Sequence, residues 1–326
     1  MILVTGGAGF IGSNLLSALA RRGRETVVVD WLGSEGKWRN LAKHPPSRLM
    51  PPTELDSFLE SRPPLEMVFH FGAVSETTAV DGDHAWATNV ELSRRVWEWC
   101  ADRQVRLVYA SSAATYGDGS GGFDDDFSLP ALQSLRPLNL YGWTKQAFDI
   151  LVARSLAARQ ARPPQWAGLK FFNVYGPNEY HKGRMVSVVK VKHDEVAAGG
   201  PARLFRSDQP GLADGAQARD FIWVGDVVDV LLWLLDTPAV NGLFNLGTGR
   251  ARSYLDLAHA VCDANGSPRN VEFIDMPASL RGQYQSFTQA NMDRLRTAGY
   301  AGQFTPLEEG VRRYVQDYLA APDRYA

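Results

Sequence analysis

The sequence predicts an α/β protein in which a doubly wound parallel sheet is joined to a smaller C-terminal lobe. Three observations carry that expectation. Short apolar runs rich in β-branched residues alternate with helix-length segments, a glycine-rich turn separates the first run from the first helix, and the alternation decays after Asn173.

Taken in order, Ile2 to Thr5 reads as a buried strand, Ser13 to Arg22 as a helix and Thr26 to Asp30 as a second strand, which make one βαβ unit. Met67 to Phe71, Leu107 to Ser111, Leu169 to Phe172 and Leu243 to Leu246 repeat the strand pattern. Segments such as Asp83 to Asp102 and Leu140 to Arg159 lie between them, and crossovers of that length bring parallel strands under helices on both faces. Beyond Asn173 come a polar stretch to Arg184, a Pro/Gly/Ala-rich loop from Ser207 to Ala218 and a mixed tail. We therefore expect residues 1–172 plus about 220–249 to form the sheet lobe, and residues 173–219 plus 250–326 to form a smaller substrate lobe.

The chain has 326 residues, 45% hydrophobic and 21% charged, which is enough apolar material for a large core. With 34 Lys plus Arg against 36 Asp plus Glu there is no basic field, which argues against nucleic acid as a partner. The late apolar run Val230 to Leu235 falls far short of the roughly 20 residues that span a bilayer. Met1 to Gly6 runs straight into the glycine turn with no charged leader, so no signal peptide is expected. Cys100 and Cys262 are too far apart for a metal or redox motif, so no metal is expected and a reducing compartment, the cytoplasm, is.

The turn reads Gly6-Gly7-Ala8-Gly9-Phe10-Ile11-Gly12, with G-x-G-x-x-G from Gly7 and G-x-x-G-x-x-G from Gly6. Glycines there permit a tight turn, let backbone N–H groups approach a pyrophosphate, and bring the helix close to the strand. Asp30 ends the second strand about 20 residues on, where a carboxylate that binds ribose hydroxyls belongs. Gly6, Gly9, Phe10, Ile11, Gly12 and Asp30 thus form the expected cofactor cradle of a Rossmann-type sheet. Asp30 repels a 2′-phosphate and favours NAD, whereas Lys37 and Arg39 could neutralise that phosphate and favour NADP. Trp31 could stack on adenine. Phe71-Gly72-Ala73-Val74-Ser75, at a strand end, offers small residues along the cofactor's path, and Asn89 sits in the following helix.

After the strand that ends at Ser111 stands Ser112, and thirty residues later comes Tyr141-Gly142-Trp143-Thr144-Lys145. The Tyr-x-x-x-Lys spacing sets a phenol and an ammonium one helical turn apart on one face. A tyrosine that serves as a base at neutral pH must lose roughly 3 units of pKa, about 4 kcal/mol. Lys145 and the positive ring of an oxidised nicotinamide are the two cations that could supply it.

The Gly6 to Gly12 loop, Ser112, Tyr141 and Lys145 resemble the extended short-chain dehydrogenase/reductase superfamily, whose members oxidise, epimerise or dehydrate nucleotide-activated sugars. Longer strings, Tyr109 to Gly117, Phe172 to Gly183 and Phe287 to Ala290, are similar to the ADP-glyceromanno-heptose 6-epimerase family, and the likeness runs from the first strand to Glu308-Glu309-Gly310-Val311. His181-Lys182-Gly183, following Asn173-Val174-Tyr175-Gly176-Pro177, is the string that selects this family within the superfamily.

The resemblance implies inversion at C6 of an ADP-activated heptose, from the D-glycero to the L-glycero form, with tightly held NADP, in a homo-oligomer that serves lipopolysaccharide core biosynthesis. A secondary alcohol with no neighbouring carbonyl cannot invert by proton loss at carbon, so a hydride must leave and return, and two acid/base groups serve the two epimers better than one. Tyr141 is the first. The resemblance makes Lys182 the second, ahead of His181, because consecutive residues rarely face one site. It also implies that Ser112 hydrogen-bonds the reacting oxygen, that Lys145, Val174 and Lys182 lie against the cofactor, and that Asn173, Arg184, Phe205, Arg206, Arg219 and Tyr284 contact the nucleotide-sugar. For Arg219 a structural salt bridge with Asp220 or Asp226 is the competing expectation.

Departures from the family fall at Trp31 and, in the substrate lobe, at Arg184, at Val191-Lys192 and at Leu204-Phe205-Arg206-Ser207. The reaction type is therefore legible ahead of the sugar, and a UDP- or GDP-hexose 4-epimerase or a dehydratase is the alternative. A dehydratase needs an acid after Ser112, where Ala113 and Ala114 stand. A non-catalytic dinucleotide sensor has no use for Ser112, Tyr141 and Lys145 together.

Overall fold

The computed structural model describes residues 1–277 and 285–326. Through them run the strands Ile2–Thr5 (β1), Thr26–Val29 (β2), Arg48–Met50 (β3), Met67–His70 (β4), Arg106–Ser112 (β5), Trp166–Phe171 (β6), Asn173–Tyr175 (β7), Ala202–Phe205 (β8), Ala218–Trp223 (β9), Gly242–Leu246 (β10), Ala251–Ser253 (β11) and Val271–Ile274 (β12). Seven of them form a parallel sheet in the order β3-β2-β1-β4-β5-β6-β10.

Every residue of β1, β2 and β4 is buried, as expected of parallel strands covered on both faces. Alternation splits them between two cores. Val4, Val28 and Phe69 point into one, which includes the helices Phe10–Arg21 and Val224–Asp236. Leu3, Val27 and Val68 point into the other, under the helices Leu92–Arg103 and Leu140–Ala157. The edge strand β3 is absent from the sequence expectation because two of its three residues are exposed and leave no apolar run.

The helix expected over Asp83 to Asp102 is broken: Gly82–Trp86 and Leu92–Arg103 are α-helical, joined by a π turn over Ala87–Glu91. Past β6 the chain builds two small sheets, β11-β9-β7 and β8 paired with β12, around a third core that also takes in Phe10. The segment expected to return to the main sheet from Phe221 does so in part. β9 belongs to a small sheet, the helix Val224–Asp236 packs on Phe10–Arg21, and β10 closes the main sheet beside β6.

Strand order reverses at β1, which has β2 on one side and β4 on the other. The crevice at the carboxyl ends of β1 and β4 is therefore where an open α/β sheet binds a ligand. Gly6 and Gly72 meet there: Gly6 has φ +69°, and a Cβ on it would lie 2.7 Å from the Gly72 nitrogen. Among the described residues no helix is long and apolar enough to cross a membrane.

Candidate active site

A cleft of about 320 Å³ opens at that crevice. Its walls include Gly6, Gly9, Phe10, Ile11 and Gly12 from the glycine loop, Asp30 and Lys37 beyond β2, and Phe71, Gly72, Ala73 and Ser75 beyond β4. Ser112, Tyr141 and Lys145 join from the sheet lobe, and Val174, His181 and Lys182 from the chain past β6.

No side chain caps the helix that starts at Phe10, so its first-turn N–H groups are left for an anion. A Cβ at Gly12 would sit 2.3 Å from the Gly6 oxygen, so this glycine lets helix and loop touch. At Gly9 a Cβ would meet only the Gly6 oxygen, at 3.1 Å, which leaves the space beside Gly9 to a pyrophosphate. Asp30 accepts from the Ala8 N–H at 2.9 Å and pairs with Lys37 Nζ at 2.6 Å. Lys37 also donates to the Trp31 carbonyl, whereas the Trp31 indole is 58% exposed and does not border the cleft. The guanidinium of Arg39 lies over the Trp38 ring, 5.7 Å from its centre.

Val74 and Asn89 stand behind the cleft wall. Asn89, in the π turn, accepts from the Val74 N–H at 2.8 Å and donates to the Val74 carbonyl and to Thr144 Oγ1, both at 2.9 Å. Its side chain is thus committed to fixing the cofactor loop against the catalytic helix, a connection the sequence does not reveal. A second chain of buried bonds reaches the same place. The Gly72 N–H donates to Thr5 Oγ1, which bonds His70 Nδ1 at 2.7 Å, and His70 Nε2 bonds Ser93 Oγ at 2.9 Å, which donates to the Asn89 carbonyl. Burial, with Lys145 nearby, pushes the His70 pKa down to about 3, so the imidazole is neutral.

The catalytic helix Leu140–Ala157 is capped by Asn139, whose Oδ1 accepts from the Gly142 N–H at 2.8 Å. This cap sets Tyr141 at the first turn, lining the cleft with Ser112 at the end of β5, whose hydroxyl lowers the phenol's pKa. Lys145 Nζ lies 5.9 Å from the centre of the Tyr141 ring. Burial pushes the phenol above its ordinary pKa, against the Ser112 bond that lowers it. Burial also lowers Lys145 to about 8, with Asp149 opposing. The phenol is therefore protonated at neutral pH until a further cation arrives.

Lys182 comes from the turn Tyr180–Met185, in which Gly183 takes φ +53°. Its ammonium rests over the Phe10 ring, and burial lowers its pKa while Glu179 opposes. Glu179, itself buried, ties this turn down by accepting from Ser187 N at 2.6 Å and from Tyr314 OH at 2.9 Å. His181, ranked behind Lys182 because consecutive residues rarely face one site, borders the cleft together with it. In a tight 3₁₀ turn successive side chains splay by about 120°, and a concave wall takes both. His181 lies 3.3 Å from the Asn40 amide, and burial with Lys37 and Lys182 beside it lowers its pKa to about 4.

Of the residues expected on the nucleotide-sugar, Asn173, Arg184, Phe205, Arg206 and Arg219 do not border this cleft. Asn173 is exposed between Phe172 and Val174, and Arg184 is exposed beyond Gly183. Phe205 ends β8, and Arg206 pairs with Asp214 at 3.0 Å and Asp275 at 3.6 Å. Lys192 is held by Glu195 and the Arg203 carbonyl. Arg219 is buried, donates to the carbonyls of Ala218 and Gln285, and lies over the Tyr254 ring. Asp220 is engaged with Thr248, Gly249 and Ala290, and Asp226 with Thr305. Gln285, absent from the sequence expectation, reaches the Gly117 carbonyl and so joins Arg219 to the loop after Ser112. Tyr284 lies outside the described residues.

A glycine loop at the switch point of a parallel sheet, facing a serine, tyrosine and lysine at the end of β5 and its helix, defines a dinucleotide-dependent enzyme of the Rossmann fold. Residues 2–247 match the NAD dependent epimerase/dehydratase family, and the chain belongs to that family. It is 49% identical to the ADP-L-glycero-D-manno-heptose-6-epimerase of Nitratidesulfovibrio vulgaris (strain DP4), with 100% of both chains aligned. The structure of Helicobacter pylori ADP-L-glycero-D-manno-heptose-6-epimerase superposes with a TM-score of 0.80 at 26% identity, covering 98% of this chain and 96% of that one. Thermus thermophilus UDP-glucose 4-epimerase, in complex with NAD, superposes with a TM-score of 0.75 at 27% identity over 98% and 99% of the two chains. The cofactor is a nicotinamide dinucleotide, and the uncapped helix start, the room beside Gly9 and the Asp30 carboxylate suit it.

Proposed function

We propose that this chain inverts C6 of ADP-D-glycero-β-D-manno-heptose to the L-glycero epimer, by transient oxidation to a ketone and re-reduction with bound NADP. The observation that carries this reading is that Tyr141 and Lys182, brought by two different parts of the chain, border one cleft with the glycine loop. The full-length relatives named as heptose epimerases support the substrate.

A nicotinamide dinucleotide held by the glycine loop, Asp30 and Lys145 would supply the hydride exchange at C6, oxidation to the ketone and reduction on its other face. Proton movement belongs to the chain. Ser112 holds the reacting oxygen and Tyr141 takes its proton, with Lys145 favouring the phenolate through its charge. Lys182 is the second acid/base group and serves the epimer that Tyr141 does not. Its lowered pKa brings the ammonium nearer to the range where it can give up a proton.

NADP is favoured over NAD because Lys37, paired with Asp30, places a cation where a 2′-phosphate would otherwise meet a bare carboxylate. A homo-oligomer is favoured by a groove of about 1060 Å³ between the helices Leu92–Arg103 and Leu140–Ala157, where the tilted rings of Trp86 and Trp143 lie 5.3 Å apart and are 37% and 47% exposed. A second copy of this chain is the occupant that reading implies. Cytoplasmic residence agrees with two buried free cysteines.

The test is to mix purified protein with the ADP-heptose and follow the epimer ratio by NMR. Equilibration of the two epimers is the expected result. An unchanged ratio alongside turnover of a UDP- or GDP-hexose would replace the heptose by a hexose.

A further inference from the structure

Beneath Ser112, Tyr141 and Lys145 lies an ion pair that the reaction above leaves unused. Asp149 and Lys170 have side chains 0% and 1% exposed, and Lys170 Nζ is 2.8 Å from Asp149 Oδ2. Asp149 follows Lys145 by one helical turn and Tyr141 by two, so the three share one face of the helix Leu140–Ala157. Lys170 rises from β6.

The pair is knotted into the strand end that carries Ser112. Asp149 accepts from Ser111 Oγ at 2.7 Å and from Tyr109 OH at 3.3 Å. Lys170 donates to Thr115 Oγ1 at 2.7 Å, and that hydroxyl donates to the Ser112 carbonyl at 2.8 Å. The Lys170 ammonium also lies 5.1 Å from the centre of the Tyr116 ring. Burying two charges is costly, and apolar residues of the same volume would hold helix to sheet as well. A role in the electrostatics of the site explains a pair at this position.

We propose that Asp149 and Lys170 are positioning residues that set the protonation of Tyr141 and Lys145, the carboxylate standing one helical turn from Lys145 and the cation it pairs with offsetting it. The other groups around the couple do not replace it. Ser112 and the phenols of Tyr109 and Tyr116 on the β5 side are neutral, and His70 on β4 is held neutral by burial. Lys182 and His181, from the turn past β7, border the same cleft as the couple. Asp149 is the carboxylate that acts on both members, and it favours the protonated form of each.

The proposal rests on Tyr141 as the acid/base group, and the experiment separates the two. The phenolate of Tyr141 is titrated by ultraviolet difference spectroscopy on the protein as purified, each variant against the same variant carrying Tyr141→Phe, and turnover is profiled against pH in parallel. Asp149→Asn keeps hydrogen bonds without charge and is expected to lower the phenolate midpoint by about one unit. Lys170→Gln is expected to raise it by a similar amount, and Lys170→Arg to leave it in place. Where a single neutralisation unfolds the chain, Asp149→Asn with Lys170→Gln leaves no uncompensated charge and is expected to lower the midpoint by less than Asp149→Asn alone. Folded variants whose midpoints stay within a few tenths of a unit, or single variants that move it in the same direction, would overturn the proposal. Midpoints that move as expected while the turnover profile stays still would uphold the pair's effect and remove Tyr141 as the group that gates turnover.

Discussion

The ammonium of Lys182 lies 5.2 Å from the centre of the Phe10 ring, so a cation from beyond β7 rests on the first residue of the glycine-loop helix. Phe10 also packs into the third core with Tyr175 and Trp223. The contact joins the two parts of the chain at the mouth of the dinucleotide cradle.

Replacing Lys182 by Met keeps the stem that covers Phe10 and removes the ammonium. Turnover is expected to fall by about 10²–10⁴-fold with the dinucleotide retained, and Tyr141→Phe to fall at least as far. Rates from initial epimer ratios, with cofactor measured by absorbance after denaturation, check both. Full activity in Lys182→Met would end the two-base scheme.

Gly12 and Gly9 should part company. A Cβ at Gly12 meets the Gly6 oxygen at 2.3 Å and the Gly7 Cα at 2.8 Å, so Gly12→Ala is expected to lose about 1–3 kcal/mol and its melting temperature to drop. Gly9→Ala is expected to fold with near-normal stability and to lose its dinucleotide, because the methyl occupies the room left for the pyrophosphate. Equal losses of stability in both would mean that the loop is only a turn.

Mass spectrometry of the dinucleotide released on denaturation is expected to give NADP. In Lys37→Met the Asp30 carboxylate loses its 2.6 Å partner and should reject a 2′-phosphate, so NAD is expected instead. NAD in the unaltered protein would show that Asp30 outweighs its lysine.

His70 makes stability depend on pH in a definite sense. Its folded pKa of about 3 lies below the ordinary value of 6.5, so between these limits the unfolded chain binds a proton that the folded chain refuses. The stabilisation is complete above pH 6.5 and is lost as pH falls toward 3, by about 1.4 kcal/mol per unit. Urea unfolding between pH 6.5 and 5 is expected to show this slope, and His70→Asn to lower stability while reducing the slope by about one proton. His181 and His193, lowered as well, add to the slope, and the carboxyls of Glu179, Asp220 and Asp226, pushed up by burial, oppose it.

What could be read from the sequence was what local spacing determines. The glycine loop and the Tyr141–Lys145 couple depend on one turn and one helical period, and both border one cleft. Lys182 and His181 share a wall because of a 3₁₀ turn and a positive φ at Gly183, which no apolar period announces. β3 went unread because its outer side chains face water. Asn89 looked like a cofactor contact, yet its amide is matched to Val74 and Thr144, and Arg206 is engaged by Asp214 and Asp275. Such partners lie far apart in sequence and are fixed only when the sheet is assembled.

The place of β10 beside β6 has a consequence for how the molecule is made. Translation supplies β1 to β6 in an order that lets each join a neighbour already present, yet the far edge of β6 has no partner until Gly242–Leu246 leaves the ribosome. During that interval Trp166–Phe171, apolar but for Lys170, is an open template for another nascent chain. A product released by a cut within this stretch is therefore expected to aggregate more readily than the full chain.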